Sequence, residues 1–231
     1  MNQDMTESEF IKSYDPNQYA RPSVAADAIV FAYDEGRLNV LLIQRKNHPF
    51  RGHWVFPGGF IEVYEDPIEA AQRELKEETG VEVGELLQLG AFGRPGRDPR
   101  YHVVSVIYFG IAPPGKQTPQ ADDDAMDAAW YAVSKTPPLG FDHEDVLDAA
   151  LNRLRQEMRR PSFALRFFDG RATGADWVGL YGEVYGKKLD GARLLRRLSR
   201  VCVERPAMTR PVRIARAKLR RFEATLGAWW L

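Results

Sequence analysis

The segment from Gly59 to Val81 constrains the fold more than any other part of the chain, because it carries the start and stop signals of one helix. Asp66 is typical of a helix N-cap, and Pro67 of the first helical position. Glu69, three residues after Asp66, completes the pattern of a capping box. Gly80 is suited to the positive φ that ends many helices. We therefore predict a helix between these signals.

The predicted helix has two chemically different faces. One is partly apolar and carries, at helical spacing, Ile68, Ala71, Leu75 and Thr79. On the other, Glu74, Glu77 and Glu78 lie three and four residues apart, which places their carboxylates on one side. Like charges this close repel, and a divalent cation with hard oxygen ligands relieves the repulsion. Because the segment contains neither Cys nor His, Mg²⁺ or Mn²⁺ fits better than Zn²⁺.

The same segment fills every fixed position of the Nudix pattern G-x5-E-x7-R-E-U-x-E-E-x-G-U, where U is a bulky apolar residue. The matching residues are Gly59, Glu65, Arg73, Glu74, Leu75, Glu77, Glu78, Gly80 and Val81. The chain thus resembles the Nudix hydrolases. The simpler alternative is a solvated acidic helix face paired with Arg73 and Lys76, but it does not explain why all the other positions match.

This resemblance implies an α/β fold, a Nudix α/β/α sandwich with a mixed sheet, and a reaction. Water attacks the diphosphate of a nucleoside diphosphate that is linked to another group. The implied ligands of Mg²⁺ or Mn²⁺ are Glu74, Glu77, Glu78 and the backbone carbonyl near Gly58. Glu65 and Arg73 are implied to orient the site, with Glu77 also catalytic. ADP-ribose is the first choice of substrate, because related pyrophosphatases bind this class of ligand.

Candidates for ligand contact also lie outside the segment. Arginines suited to phosphate or carboxylate groups are Arg51, Arg94, Arg97 and Arg100, the last three in one Arg- and Gly-rich loop. An ordinary exposed loop is the alternative. Aromatic residues able to stack on a base are Trp54, Phe92 and Tyr101, with core positions as the alternative.

The general base is expected in a loop, where a carboxylate can move towards the attacking water. Asp123 and Asp124 satisfy that description. The alternatives are three histidines, for each of which a structural role is the simpler interpretation: His53, His102 and His143.

Apolar patterning outside the helix predicts strands at 24–33, 38–44, 86–93, 102–112 and 128–133 and a helix from about Asp142 to Arg159. Turn residues Asp34, Glu35 and Gly36 join the first two strands as a hairpin. The nearly continuous apolar run at 102–112 predicts a central strand.

Charge is distributed unevenly along the chain, although the net charge is zero. Residues 1–160 hold 17 Lys and Arg against 26 Asp and Glu, whereas residues 161–231 hold 15 against 6. The basic part contains a predicted helix at 176–185, ended by Gly186, and a second that Asp190 begins. Such an asymmetry indicates contact with nucleic acid.

A helix, a short connection and an Arg-rich second helix suggest a winged-helix-like module. Its candidate DNA-binding residues share one face of the second helix: Arg193, Arg196, Arg197 and Arg200. The alternatives are arginines that only solubilise an accessory domain or pair with the acidic part. We predict an N-terminal arm at 1–20, a Nudix domain at 21–160 and a winged-helix-like domain at 161–231.

The whole chain is similar to the Nudix-related transcriptional regulators, which join a Nudix domain to a C-terminal winged helix. Matching segments include Tyr19–Val24, Asp98–Arg100, Asp123–Ala125, Phe141–His143 and Leu180–Tyr181. The second helix departs from the usual Asn-Phe-Arg-Arg and reads Arg193-Leu194-Leu195-Arg196. The resemblance implies a homodimer that binds duplex DNA, and a Nudix domain that senses ADP-ribose-like ligands either with or without turnover.

Composition excludes several other classes. The single cysteine, Cys202, cannot form a disulfide within the chain, and no apolar run approaches the ~20 residues of a membrane span. The N-terminal residues are polar and acidic, unlike a secretory signal. A cytoplasmic protein that does not contact membranes is therefore expected.

Overall fold

Helices cover both faces of a seven-stranded mixed sheet in the computed structural model. The structure describes residues 5–112, 118–121, 125–168, 171–188, 190–198 and 212–213. The strands of the sheet are β1 (Ser23–Asp34), β2 (Arg37–Arg45), β3 (Trp54–Val55), β4 (Gly58–Phe60), β5 (Leu86–Phe92), β6 (Val103–Ile111) and β7 (Ala125–Ala132). The helices are α1 (Glu7–Ser13), α2 (Pro67–Thr79), α3 (His143–Glu157), α4 (Pro161–Ala164), α5 (Gly174–Tyr185) and α6 (Gly191–Leu198).

The predicted hairpin and central strand are confirmed. β1 and β2 pair antiparallel with Asp34 opposite Arg37, and β6 lies between β1 and β5. β6 runs parallel to β1, whereas the other pairings are antiparallel, so the sheet is mixed as expected. The short strands β3 and β4 were not predicted from apolar patterning. β4 pairs with β1, with Gly58 opposite Asp27.

Helix α2 forms where the sequence predicts it. The Asp66 side chain accepts a hydrogen bond from the Ile68 N–H at 3.1 Å, and the Asp66 N–H donates to the Glu69 carboxylate at 3.2 Å. Gly80 ends the helix with φ 67°. The apolar face packs on small side chains of β1 through Ala70, Ala71 and Leu75, and this contact fixes the height of the acidic face above the sheet.

Helix α3 covers the opposite face of the sheet. It spans His143–Glu157, close to the predicted range, and buries Val146, Ala150 and Leu154. These side chains pack with β1 and β2 residues such as Phe31 in the larger core. With α2 on one face and α3 on the other, the α/β/α sandwich is confirmed.

The first predicted helix of the basic region begins two residues before its predicted start. α5 begins at Gly174, because the Thr173 side chain caps it by accepting from the Asp176 N–H at 3.1 Å. Gly186 ends it with φ 62°, as predicted. Asp190 is confirmed as the cap of α6, since its carboxylate accepts from the Arg193 N–H at 3.0 Å.

The core continues past residue 160 into the basic region. Phe163, Trp177, Leu180 and Leu194 belong to the same buried cluster as the β1 and β2 side chains. Strand β8 (Arg171–Ala172) pairs antiparallel with β9 (Val212–Arg213). In the sequence, β8 precedes α5 and β9 follows α6, so the region contains the helices and the strand pair expected of a winged-helix-like domain. The domain boundary at 160 stays a prediction.

The described helices contain no segment that combines the length and the apolar character of a membrane span.

Candidate active site

A cavity of about 470 Å³ lies beside the N-terminal half of β1, where β4, α2 and the start of α3 meet. Predicted site residues that line it are Gly58, Arg73, Glu74, Glu78, Arg97 and Arg100. We call Gly58, Gly59, Arg73, Glu74 and Glu78 the motif wall. We call Asp27, Arg97 and His143, with their partners Ser105 and Asp142, the polar floor. The cavity thus brings the helix with the acidic pattern together with residues that lie far from it in the sequence.

Arg73 organises the carboxylates of the motif wall. Its guanidinium donates to Glu65 at 2.8 and 2.9 Å, to Glu74 at 2.8 Å and to Glu77 at 3.1 Å. The family resemblance implied that Arg73 orients the site, and in the structure its guanidinium contacts three carboxylates. Hydrogen bonds from Arg73 lower the pKa of Glu65 to about 2, and burial raises the pKa of Glu74. Arg73 therefore offsets the repulsion between these acidic side chains.

Two glycines let β4 approach the carboxylates. A Cβ at Gly59 would overlap the Glu74 carboxylate, and a Cβ at Gly58 would overlap the Asp27 carboxylate and the β1 backbone. The Gly58 N–H donates to Glu78 at 2.9 Å. The Gly58–Gly59 segment of β4 therefore passes so close to these carboxylates that only glycine fits. We call this segment the Gly58–Gly59 cradle.

The donor set of the motif wall suits a hard divalent cation, since carboxylate oxygens are the ligands such ions prefer. Glu74 and Glu78 face the cavity, whereas the Glu77 side chain is 47% exposed and lies outside its lining. Within the described residues, no group of three or more acidic, His or Cys side chains is gathered around one point. Arg73 and the Gly58 N–H hold the carboxylates instead, so binding a cation requires these side chains to exchange partners.

The polar floor contains a buried ion pair. Arg97 donates to Asp142 through Nε at 2.9 Å and Nη2 at 2.7 Å, and Arg97 is only 8% exposed. The alternative of an ordinary exposed loop does not hold for Arg97, because the ion pair with Asp142 at the start of α3 buries its guanidinium. Because its carboxylate accepts from Arg97, the Asp142 side chain makes no capping hydrogen bond to the first turn of α3.

Asp27 lies in the middle of β1 and belongs to the same floor. It is 9% exposed and accepts a short hydrogen bond from the Ser105 hydroxyl of β6. Burial raises the pKa of Asp27 to about 6, against the opposing effects of Ser105 and of the charge on Arg97. A carboxyl group is thus held between two strands that are otherwise almost entirely apolar.

His143 is a buried structural residue. Its Nδ1 accepts a hydrogen bond from the Phe56 N–H at 3.1 Å, and its ring stacks on Phe56 at 4.9 Å. Burial lowers the pKa of His143 to about 3. Because Nδ1 is occupied as an acceptor, His143 is a poor general base. His53 packs edge-on against Phe50, and His102 Nε2 lies 3.0 Å from the Gly93 carbonyl.

An aromatic pair lies at the rim. Tyr101, 48% exposed, stacks on Phe60 with ring centroids 6.4 Å apart, and the Arg100 guanidinium lies 5.4 Å from the Phe60 centroid. Arg100 also pairs with Asp98 at 2.8 Å. Of the predicted stacking residues, Tyr101 is therefore the one beside the cavity. Phe92 packs against the larger core.

Other predicted site residues lie away from the cavity or outside the residues that the structure describes. Trp54 packs edge-on against Tyr131 in the core. Arg51 and Arg94 do not line the cavity, and Arg94 lies 3.9 Å from Asp145 at the surface. Asp123, Asp124 and Arg200 lie outside the described residues, as does the side chain of Arg197. On α6, Arg193 and Arg196 are exposed while Leu194 is buried. The DNA-binding role of the predicted arginine face stays a prediction.

Asp27, Ser105 and Asp142 belong to the site although they were not predicted as site residues. For Asp27 a signal existed, since it is the one charged residue within the apolar stretch 24–33. Nothing local marks Ser105 or Asp142, because each becomes part of the site through a residue 78 or 45 positions away.

Comparison with known proteins agrees with this geometry. Residues 22–159 match the model of the NUDIX domain family. The ADPR responsive transcriptional repressor NtrR of Acinetobacter baylyi is 30% identical over 197 residues, which cover 84% of this chain and 78% of that protein. The ADP-ribose pyrophosphatase of Methanocaldococcus jannaschii is 41% identical over 129 residues, 56% of this chain and 73% of that protein.

A solved structure extends the likeness beyond the matched domain. The crystal structure of Shewanella oneidensis NrtR complexed with a 27mer DNA superposes with a TM-score of 0.67 at 26% identity, over 85% of this chain and 95% of that one. The intact acidic pattern, the α/β/α sandwich and these matches lead to one conclusion. The chain belongs to the NUDIX domain family and, within it, to the type of the Nudix-related transcriptional regulators.

Proposed function

We propose that the protein is a Mg²⁺- or Mn²⁺-dependent pyrophosphatase that cleaves ADP-ribose or a related nucleoside diphosphate sugar. The observation that carries the proposal is the motif wall: Glu74 and Glu78 face a ligand-sized cavity across the Gly58–Gly59 cradle. An ADP-ribose pyrophosphatase and an ADP-ribose-responsive repressor are both among the chain's relatives, which supports this class of ligand.

The reaction adds water across the diphosphate. The water oxygen bonds to one phosphorus, the bond from that phosphorus to the bridging oxygen breaks, and ADP-ribose yields AMP and ribose 5-phosphate. A bound divalent cation neutralises phosphate charge and makes water a better nucleophile. Its proposed ligands are Glu74, Glu77, Glu78 and the backbone carbonyl near Gly58.

The remaining motif residues position these ligands. Arg73 bridges Glu65 to Glu74, so it fixes the carboxylate that lies under Gly59. Arg97 and Arg100 line the same cavity as substrate-binding residues, and Arg100 contributes positive charge towards the diphosphate. A loop carboxylate, Asp123 or Asp124, is proposed to take the proton of the attacking water.

Release of AMP from ADP-ribose tests this proposal. We expect turnover that requires Mg²⁺ or Mn²⁺ and that falls by roughly 100-fold or more in Glu78→Gln. Glu82→Gln is the matched control, because Glu82 pairs with Lys76 at the surface, away from the cavity lining. Saturable binding of ADP-ribose by the wild type without any AMP release would reject catalysis and leave a sensor.

A second function is proposed for the same chain: transcriptional regulation of NAD or sugar metabolism in response to ADP-ribose-like ligands. The exposed Arg193 and Arg196 on α6, and the likeness to an NrtR bound to DNA, favour it. Arg197 and Arg200 are proposed to complete the DNA-contacting face. A homodimer is proposed as well, since two-fold symmetric DNA readers bind paired half-sites.

Salt-dependent binding to duplex DNA from the region upstream of its own gene tests the second function. In Arg193→Ala/Arg196→Ala we expect a lower affinity and a salt slope that is smaller by about two. Arg166→Ala is the control, because Arg166 pairs with Glu85 outside α6. Equal affinity and equal salt slope in the double variant and the wild type would reject α6 as the DNA-contacting element.

A further inference from the structure

Asp27 occupies a position where a carboxyl group destabilises the fold unless it has a partner. It is nine-tenths buried in β1, between Ala26 and Ala28, and the neighbouring strand β6 is largely apolar. Isolated buried charges are strongly unfavourable, so such a residue calls for an explanation beyond packing. Asp27 lies outside the segment that carries the fixed positions of the Nudix pattern.

Only half of the Asp27 carboxyl group is used within the described residues. Its Oδ2 accepts from the Ser105 hydroxyl. No described residue donates a hydrogen bond to Oδ1, which lies against Gly58 in the wall of the cavity. The floor therefore offers one acceptor atom on the cavity side, next to the motif wall.

Arg97 offers a donor on the same floor. Asp142 occupies its Nε and Nη2, while Nη1 makes no hydrogen bond to a described residue. Because Asp142 holds the guanidinium from one side, the direction of Nη1 is fixed before a ligand arrives. Both Arg97 and Asp27 line the cavity that contains Glu74 and Glu78.

The charges of the floor decide which part of a ligand can lie there. Because Asp142 balances the charge of Arg97, the negative charge of Asp27 is not balanced within the floor. A phosphate placed against Asp27 would be repelled, whereas a sugar hydroxyl can donate to Asp27 Oδ1 and accept from Arg97 Nη1. Neighbouring hydroxyls of a furanose or pyranose ring meet both requirements.

We propose that Asp27 is a specificity-determining residue that accepts a hydrogen bond from a hydroxyl of the sugar attached to the diphosphate, with Arg97 donating to the same ring. Ser105 is a positioning residue that holds the carboxyl group through Oδ2. This inference rests on the proposed function. It adds that the site selects nucleoside diphosphate sugars over nucleoside diphosphates without the sugar.

Equilibrium binding of two probes to the full chain in the presence of Mg²⁺ tests the proposal. The probes are the α,β-methylene analogue of ADP-ribose, which resists cleavage at the diphosphate, and ADP, which keeps the adenosine ribose but lacks the terminal ribose. In Asp27→Asn we expect the analogue to bind about 10-fold more weakly or worse, with ADP affinity changed by less than about 2-fold. Ser105→Ala should shift the analogue in the same direction by a smaller factor.

Each outcome distinguishes the two proposals. Wild-type protein that binds neither probe overturns the proposed function and this inference together. Wild-type binding of the analogue with unchanged affinity in Asp27→Asn overturns the inference alone. Equal losses for both probes also overturn it, because Asp27 would then act on the metal or the phosphates. Urea unfolding of Asp27→Asn checks its fold, and Ser105→Ala decides the question if that variant does not fold.

Discussion

The two sides of the cavity are built in opposite ways. The motif wall comes from 21 consecutive residues, Gly58 to Glu78. Its carboxylates accept hydrogen bonds that can be exchanged, Glu74 from Arg73 and Glu78 from the Gly58 N–H. The polar floor comes from β1, β6, the loop before β6 and α3, and its ion pair is buried on both partners, at 6% and 10% side-chain exposure. Because its contacts can be exchanged, the motif wall is suited to bind a cation and the reacting groups of a ligand. A fixed floor suits recognition of a ligand before the reaction.

The largest expected effect comes from breaking the floor. Asp142→Asn leaves the buried guanidinium of Arg97 without its counter-ion, so we expect a loss of roughly 3 kcal/mol in the free energy of unfolding. Urea denaturation measures it. Lys76→Gln is the comparison, since its ion pair with Glu82 is about two-thirds exposed on both partners and should leave stability nearly unchanged. Equal free energies of unfolding for the two variants would contradict the prediction that the buried Arg97–Asp142 pair stabilises the protein more than the exposed Lys76–Glu82 pair.

A second prediction concerns the cradle of the motif wall. Gly59→Ala places a Cβ where the Glu74 carboxylate lies, and that flexible end can move aside, so we expect activity to fall by about 100-fold with little loss of stability. Gly58→Ala should instead destabilise the protein, because its Cβ meets the β1 backbone at 2.6 Å from the Ala26 oxygen. Gly84→Ala, with open space around it, is the control. Full activity of Gly59→Ala would show that the position of Glu74 is not critical.

A third prediction concerns the pH dependence of stability that arises from the floor. Burial lowers the pKa of His143 from the ordinary 6.5 to about 3, so the unfolded chain binds the proton first. The stability contributed by neutral His143 is therefore present above pH 6.5 and is lost as the pH falls towards 3. Asp27 acts in the opposite sense: its pKa is raised from 3.8 to about 6, so its contribution falls as the pH rises through that window.

Urea denaturation of wild type and His143→Asn between pH 4 and 8 isolates the histidine, since the Asp27 contribution is common to both. We expect the stability advantage of the wild type to shrink steadily below pH 6.5. An advantage that stays constant across this range would contradict a neutral, buried His143.

Local sequence was enough to predict the motif wall. The caps Asp66 and Gly80 and the spacing of Glu74, Glu77 and Glu78 lie within one helix, where spacing fixes geometry. The hairpin of β1 and β2 followed from patterning for the same reason. The winged-helix-like prediction rested on α5 and α6, for which the caps Gly186 and Asp190 were predicted, whereas the N-cap Thr173 was not.

The polar floor could not be predicted in this way. Asp27 meets Ser105 and Arg97 meets Asp142 only after the sheet has assembled, across 78 and 45 residues. Arg97 was predicted to bind phosphate or carboxylate groups from an Arg- and Gly-rich loop, yet its guanidinium is buried in the floor in an ion pair with Asp142. His143 was one alternative for the base, and the N–H of Phe56, 87 residues away, explains why it is structural.

The central claim is that the motif wall performs the reaction while the polar floor selects the sugar. Steady-state release of AMP from ADP-ribose, measured for wild type, Glu78→Gln and Asp27→Asn, tests it most directly. We expect Glu78→Gln to lower kcat with a smaller change in KM, and Asp27→Asn to raise KM with a smaller change in kcat. The same loss in the same parameter for both variants would contradict a division of roles between the two sides of the cavity.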